Sequence, residues 1–349
     1  MKIIKRLLLI PLAVILVIAG YVIYVFAAYH RIGDIDSLPV KGEGTAEALP
    51  EEKELTLLSF NIGFGAYSDD YSFFMDGGKY SRALSREAAE ENVSAVRSLI
   101  DRESPDLVLL QEVDLNSTRS YHLNETEIIT EGAPYSSVFA QNYDSPYLFY
   151  PVTCPHGRSR SGILTLSSVK IQSAARKELP IETSVMKLID LDRCYSKSYI
   201  PTEKGTLVLF NLHLSAYTSD GTIADEQLRV LTSDMTAERE AGNYVIAGGD
   251  FNKDLLGNAS LVFGVDGGNY TWAKPIPEGI IPPSLTLCAS DNAPSCRNAD
   301  EPYTPGHTFV LTVDGFLVSD NVEALKCETL DLSFANSDHN PVKLTFKLK

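Results

Sequence analysis

The chain has 349 residues, 44% of them apolar, and a formal net charge of −16, so it can bury a large core. The acidic balance repels polyanions at long range, which disfavours a nucleic-acid substrate without excluding it. Five cysteines are too few for a disulfide scaffold.

Leu7 to Tyr29 carries no charge and follows Lys2, Lys5 and Arg6. As a helix it would rise roughly 35 Å, enough to cross the ~30 Å hydrocarbon layer. The basic side stays cytoplasmic and Asp34, Asp36 and Glu43 follow, so the remainder is expected outside a cell membrane. Residues 1–30 thus read as a basic tip and single-pass transmembrane anchor. Small residues around Val25-Phe26-Ala27-Ala28 offer the alternative of a cleaved signal peptide and secretion, against which the length of the apolar stretch argues. Arg31–Lys53 is rich in Gly, Glu, Asp, Pro and Ala and has no apolar period. It predicts a linker that, as a flexible coil, would set the next domain roughly 25 Å from the bilayer.

Residues 54–349 read as one α/β domain in which apolar, strand-like runs stop on polar residues. Leu55–Asn61 ends on Asn61, Asp106–Glu112 on Glu112, Leu207–His213 on His213 and Tyr244–Asn252 on Asp250 and Asn252. Thr312–Val318 contains Asp314, and Ser337-Asp338-His339-Asn340-Pro341 precedes the final run. Helical spacing covers Ser85–Arg102 and Asp225–Glu240, each lying between two strand runs. Two such units, with β-rich sequence around them, predict two packed sheets with helices outside. Gly63–Tyr80, Tyr143–Arg160 and Asn269–His307 lack either period and read as long rim loops. Cys288 and Cys296 bracket a Pro/Asn/Ser-rich loop and are the first choice for a disulfide, with Cys154–Cys194 second and Cys327 a buried thiol.

With these residues in hand, the chain resembles the endonuclease/exonuclease/phosphatase superfamily, which includes deoxyribonucleases, sphingomyelinases and inositol-polyphosphate phosphatases. The resemblance rests on Ser59-Phe60-Asn61, Gln111-Glu112-Val113, Ser161-Gly162-Ile163-Leu164, Asn211-Leu212-His213-Leu214, Gly249-Asp250-Phe251-Asn252, Val313-Asp314 and Ser337-Asp338-His339-Asn340-Pro341-Val342, in the family's order. Val313-Asp314-Gly315-Phe316 departs from the pattern by lacking an aromatic directly after the Asp. The resemblance implies a four-layer α/β/β/α sandwich of two mixed sheets, reached after the N-terminal transmembrane helix.

It also implies a hydrolase acting on phosphoester bonds with Mg²⁺, or else Mn²⁺ or Ca²⁺. A hard cation would neutralise phosphoryl charge, and Glu112, Asn61 and Asp338 are the expected oxygen ligands. His339 is the expected general base, oriented by Asp314. Asp250 and Asn252 would orient the attacking water. His213 would bind the phosphoryl oxygen or protonate the leaving group. Asn211, Arg160 and Arg158 are candidate substrate contacts. The expected enzyme is a monomeric phosphodiesterase acting on a small or lipid-linked phosphoester at the outer membrane face. An extracellular nuclease and a non-catalytic binding module are the alternatives.

Overall fold

The computed structural model describes residues 2–188, 190–216, 222–265 and 272–349. Two parallel crossovers set its frame. Strand Leu55–Asn61 pairs with Leu107–Asp114 across helix Arg86–Glu103, and Thr206–His213 pairs with Tyr244–Asp250 across helix Thr222–Glu240. A crossover of this kind brings the C-terminal ends of both strands to one edge of the sheet. The antiparallel neighbours begin where these strands finish, with Asp314 opposite Asp250 and Val342 opposite Ser59. Asn61, Glu112, His213, Asp250, Asp314 and the turn carrying His339 therefore share one rim.

The first helix starts because the Ser85 hydroxyl accepts the Ala88 N–H, and it stops at Ser104, a left-handed residue with φ 45°. Its Val93, Val96, Leu99 and Ile100 pack on Leu58, Phe60, Val108 and Leu110. Leu55, Leu57, Leu107 and Leu109, on the opposite face of the same strands, meet Leu207, Leu209 and Ile246 of the second sheet. Val208, Phe210 and Leu212 then point the other way, onto Leu228, Leu231 and Met235 of the second helix. Both faces of each parallel pair are thus covered, which is why these runs are apolar throughout. The layers are helix, seven-stranded sheet, six-stranded sheet, helix, as the motif order implied. The expected strand around Asp314 starts on that residue and runs to Ser319. Asn269, with which the expected loop Asn269–His307 opens, lies outside the described residues.

Helix Lys2–Ala28 includes a stretch, Leu9–Ala28, with mean hydropathy 2.7 that is long and apolar enough to cross a membrane, a test a signal sequence also passes. The segment after it corrects the expectation of a flexible coil. Val40–Lys41 adds a short strand to the edge strand Ser136–Asp144, while Ile35, Ala46 and Leu49 bridge to Arg176, Val169 and Thr202. Leu38 and Leu49 enter the core between the sheets. A few isolated anchors suffice to hold a strap, and they leave no periodic signature. Arg176 is the main one: its guanidinium is buried and donates to the carbonyls of Gln141, Ile32, Gly33 and Asp192. Arg176→Met is therefore expected to cost about 1–3 kcal/mol through orphaned carbonyls and to open residues 31–53 to limited proteolysis, which the unmodified chain resists there. Equal cleavage of both chains within that segment would contradict the docked strap.

Candidate active site

Glu112 owes its position to an irregularity. The pairing of its strand with Arg160–Ser167 shifts register between Leu110 and Val113, and Glu112 itself has φ 55°. A bulge of this kind re-aims a side chain, here into a cavity of about 410 Å³ at the rim. Asp338, Asp250, His213, Asn252 and His339 line the same cavity. Loss of solvent pushes the Glu112 carboxyl up; Arg119 draws it down and Asp338 pushes it further up, leaving it above its ordinary range. Asp338 is raised as well, by burial first, against the opposing charges of His339 and Arg297.

His339 is tethered through both its ring and its backbone. Its Nδ1 lies 2.7 Å from Asp314 Oδ2, an oxygen that also accepts the Ser295 hydroxyl at 2.7 Å. Nε2 lies 3.8 Å from Asp250 Oδ2. The Ser337 hydroxyl fixes the turn by donating to Asn61 O and accepting the His339 N–H. Burial alone would depress this imidazole, but the charge and hydrogen bond of Asp314, with Cys296 adding to them, together hold it well above its usual value. A proton on Nδ1 would face the carboxylate and leave Nε2 toward the cavity.

Asp250 sits at the centre. Its Oδ2 accepts the Asn61 amide at 3.0 Å and lies 3.5 Å from His213 Nε2, and its Oδ1 accepts the Asn252 N–H at 2.8 Å. Burial raises it to about 7, with His339 opposing and Asp314 reinforcing the shift. Gly249 before it has φ 143°, and a Cβ there would stand 2.1 Å from Leu212 O, so the two parallel strands close only around glycine. His213 is buried and held well below its ordinary value by desolvation, with Arg193 and His339 adding to it. It is a neutral hydrogen-bonding group rather than a cationic acid.

Several expectations change. Asn61 uses its carbonyl to accept the Gly63 N–H, and its amide faces Glu112 at 3.4 Å as well as Asp250. In this orientation its amide spans two carboxylates while its side-chain oxygen holds the Gly63 N–H. Asn211 lies between the sheets, accepting from Gln111 and donating to Leu110 O and Leu164 O, away from the cavity. Arg158 is exposed and paired with Asp144 at 2.9 Å, and neither it nor Arg160 lines the cavity. Cys288 and Cys296 are both free, as are Cys154 and Cys194, because Cys288 belongs to the six-stranded sheet while Cys296 bridges to His339. Cys296 Sγ stands 3.6 Å from His339 Nε2, and burial pushes its thiol up to about 12.

Sequence reasoning missed the cavity's cations. Arg119, Arg193 and Arg297 all line it. Arg119 is buried in a fork with Asp114 at 2.9 and 3.1 Å, and its guanidinium lies 3.9 Å from the centre of the Phe64 ring. Arg297 donates only to backbone carbonyls, including those of Ser68 and Asn298. Nothing in the surrounding polar runs separates these arginines from solvated ones.

The donor set fits a hard divalent cation. Glu112 and Asp338 are two carboxylates lifted by burial that form no ion pair among the described residues, and oxygen ligands suit Mg²⁺. Asp250, Asp314 and His339 also place one ligand atom each within 4.8 Å of one another. Within that trio, His339 Nδ1 already contacts Asp314 Oδ2 at 2.7 Å.

The endonuclease/exonuclease/phosphatase family model matches residues 58–339. No curated protein matches the chain. An endonuclease/exonuclease/phosphatase from Beutenbergia cavernae is similar over 85% of this chain and 72% of its own, with TM-score 0.56 and 16% identity. One from Bacteroides vulgatus is similar over 85% and 100%, with TM-score 0.53 and 13% identity. ANGEL2, described as a 2′,3′-cyclic phosphatase, is similar over 84% and 96%, with TM-score 0.53 and 15% identity. These likenesses concern the fold. Members of the family are hydrolases of phosphoester bonds, typically dependent on divalent metal. By the match over most of its length, together with this rim, the chain belongs to the endonuclease/exonuclease/phosphatase family.

Proposed function

We propose that the protein is a Mg²⁺-dependent phosphodiesterase, anchored by its N-terminal helix, that hydrolyses a small or lipid-linked phosphoester at the outer membrane face. The observation that carries the reading is His339, held by Asp314 at 2.7 Å on the wall of a cavity that Glu112 and Asp338 also line. Glu112 and Asp338 would hold the cation, which supplies charge neutralisation at the phosphoryl oxygens.

The chain's own groups account for the rest. His339 Nε2 takes the proton of the attacking water, and Asp314 stabilises the imidazolium that results. Asp250, supported by the Asn61 amide and the Asn252 N–H, orients that water. Neutral His213 donates to a phosphoryl oxygen, and Arg119 and Arg193 add positive charge on the same wall. Such preorganised donors favour the transition state because they need no rearrangement when charge develops. The formal charge of −16 argues against a polyanionic substrate and so against the nuclease alternative.

Glu112→Gln is expected to abolish turnover at low Mg²⁺ and to recover part of it as Mg²⁺ is raised, since ion affinity is what suffers. Unchanged turnover at low metal would remove Glu112 from the site.

His339→Ala should lower kcat by about 10²–10⁴-fold. Asp314→Asn should do nearly as much, and the two changes combined should be little worse than either. Additive losses would separate the pair.

A base must lose its proton to act, so kcat/KM should rise with pH through the His339 titration. Asp314 raises that titration, so Asp314→Asn should move the acidic limb to lower pH while lowering the plateau. A limb that stays in place would show that His339 does not report it.

A further inference from the structure

The anchor helix does not leave the membrane at a distance from the cavity; its end is built into the cavity's surroundings. The Tyr21 hydroxyl donates to Tyr147 O and accepts the Phe149 N–H, and the Tyr24 hydroxyl accepts the Tyr147 N–H, each at 3.0 Å. One turn or two further on, the Tyr29 ring lies under the Lys187 ammonium at 5.7 Å, and Arg31 donates to Leu179 O. These contacts reach two loops. The second of them supplies Glu182, Ser184, Asp190 and Leu191 to the cavity wall.

The first loop exposes apolar surface. Phe149, Tyr150 and Val152 are 51%, 68% and 69% exposed, and Met75, next in sequence to the Phe74 that meets Tyr150, is 51% exposed and lines the cavity. Rings run in sequence from the helix inward. Tyr24 meets Tyr21 at 6.2 Å and Tyr21 meets Phe149 at 6.4 Å. Tyr150 meets Phe74 at 5.7 Å, Phe74 meets Phe73 at 4.9 Å, and Phe73 meets Tyr67 on the cavity wall at 5.4 Å.

The level of this patch along the helix says what covers it. From Arg6 to Tyr24 the helix rises about 27 Å, close to the ~30 Å thickness of a hydrocarbon layer. Tyr21, Tyr24, Phe26 and Tyr29 then fall where aromatic residues gather at a membrane–water boundary. The hydroxyls that clamp the loop are at that level, so the exposed Phe149, Tyr150 and Val152 are too. We propose that the loop Tyr147–Val152 is a membrane-contact surface, and that it holds the mouth of the catalytic cavity against the bilayer its own helix crosses. The substrate is accordingly a phosphoester displayed on a lipid of that leaflet. This inference rests on the anchor and phosphodiesterase readings above.

Placing the full chain in phosphatidylcholine vesicles, with and without acyl-brominated lipid, tests the contact. In a Trp272→Phe background, tryptophan added by Val152→Trp should lose about half its emission to the bromines, as expected of a group seated at the headgroup–acyl boundary. Ile15→Trp, within the helix, should be quenched as well, and Leu261→Trp, exposed elsewhere on the domain, should not. Quenching of Ile15→Trp without Val152→Trp would overturn the contact and leave the anchor standing. Quenching of neither would remove the anchor, and this inference with it.

Kinetics test the consequence. Tyr150→Asp combined with Val152→Asp should leave hydrolysis of soluble bis(para-nitrophenyl) phosphate unchanged. Turnover of a phosphodiester lipid in the same vesicles should fall roughly 10-fold, since the charged loop no longer seats at the boundary. Undiminished lipid turnover, or an equal loss on both substrates, would overturn the proposal. Inability of the unmodified chain to hydrolyse any phosphodiester, soluble or lipid-borne, would instead remove the enzymatic reading on which the proposal rests.

Discussion

Much of this structure hangs on the buried carboxylate of Asp250. It ends a parallel strand of one sheet, accepts the amide of Asn61 from the end of a parallel strand of the other, and stands between two imidazoles. A charge removed from water is costly unless donors surround it. Here the donors come from both sheets, so satisfying Asp250 and closing the sandwich at the rim are the same event. The glycine before it lets the strands approach closely enough for that contact. Its raised titration, to about 7, records what burial still costs after His339 and Asn61 have offset part of it.

The two histidines show how one rim supports different roles. His339 and His213 both lie near Asp250 Oδ2, and both are buried. His339 has a second carboxylate at 2.7 Å and is held well above its usual value, while His213 is held well below it by desolvation first, with Arg193 and His339 adding to that. Opposite shifts of this kind suit the two roles proposed here, a base that cycles and a neutral donor that does not.

The sequence displayed the frame because strand ends and polar punctuation are local features. The apolar runs Leu55–Phe60 and Leu207–Leu212 mark strands covered on both faces, and the residue types at each run's end name the rim. Residues whose roles arise from distant partners were not legible. Asn211 stands two positions before His213 on the same strand, yet that step carries it from the rim into the closed space between the sheets, where Gln111 meets it. Cys296 looked like half of a loop disulfide, whereas bridging to His339 places its thiol on the wall of the cavity. Arg119 is brought in by Asp114 and Phe64, and Arg176 by four carbonyls, none of them recognisable from sequence neighbours. The strap over residues 31–53 lacked a period because it is held at points, not along a face.

The central claim is that His339 activates water for a single in-line displacement. The nearby Cys296 thiol offers a competing route, since attack by sulfur would form a covalent intermediate that water then resolves. Both routes break the same phosphoester bond, so turnover alone does not separate them. Hydrolysis of a phosphorothioate diester of one configuration at phosphorus, in isotopically labelled water, does. One displacement inverts phosphorus and two restore it. The account predicts inversion, with Cys296→Ser still active; retention of configuration would contradict it.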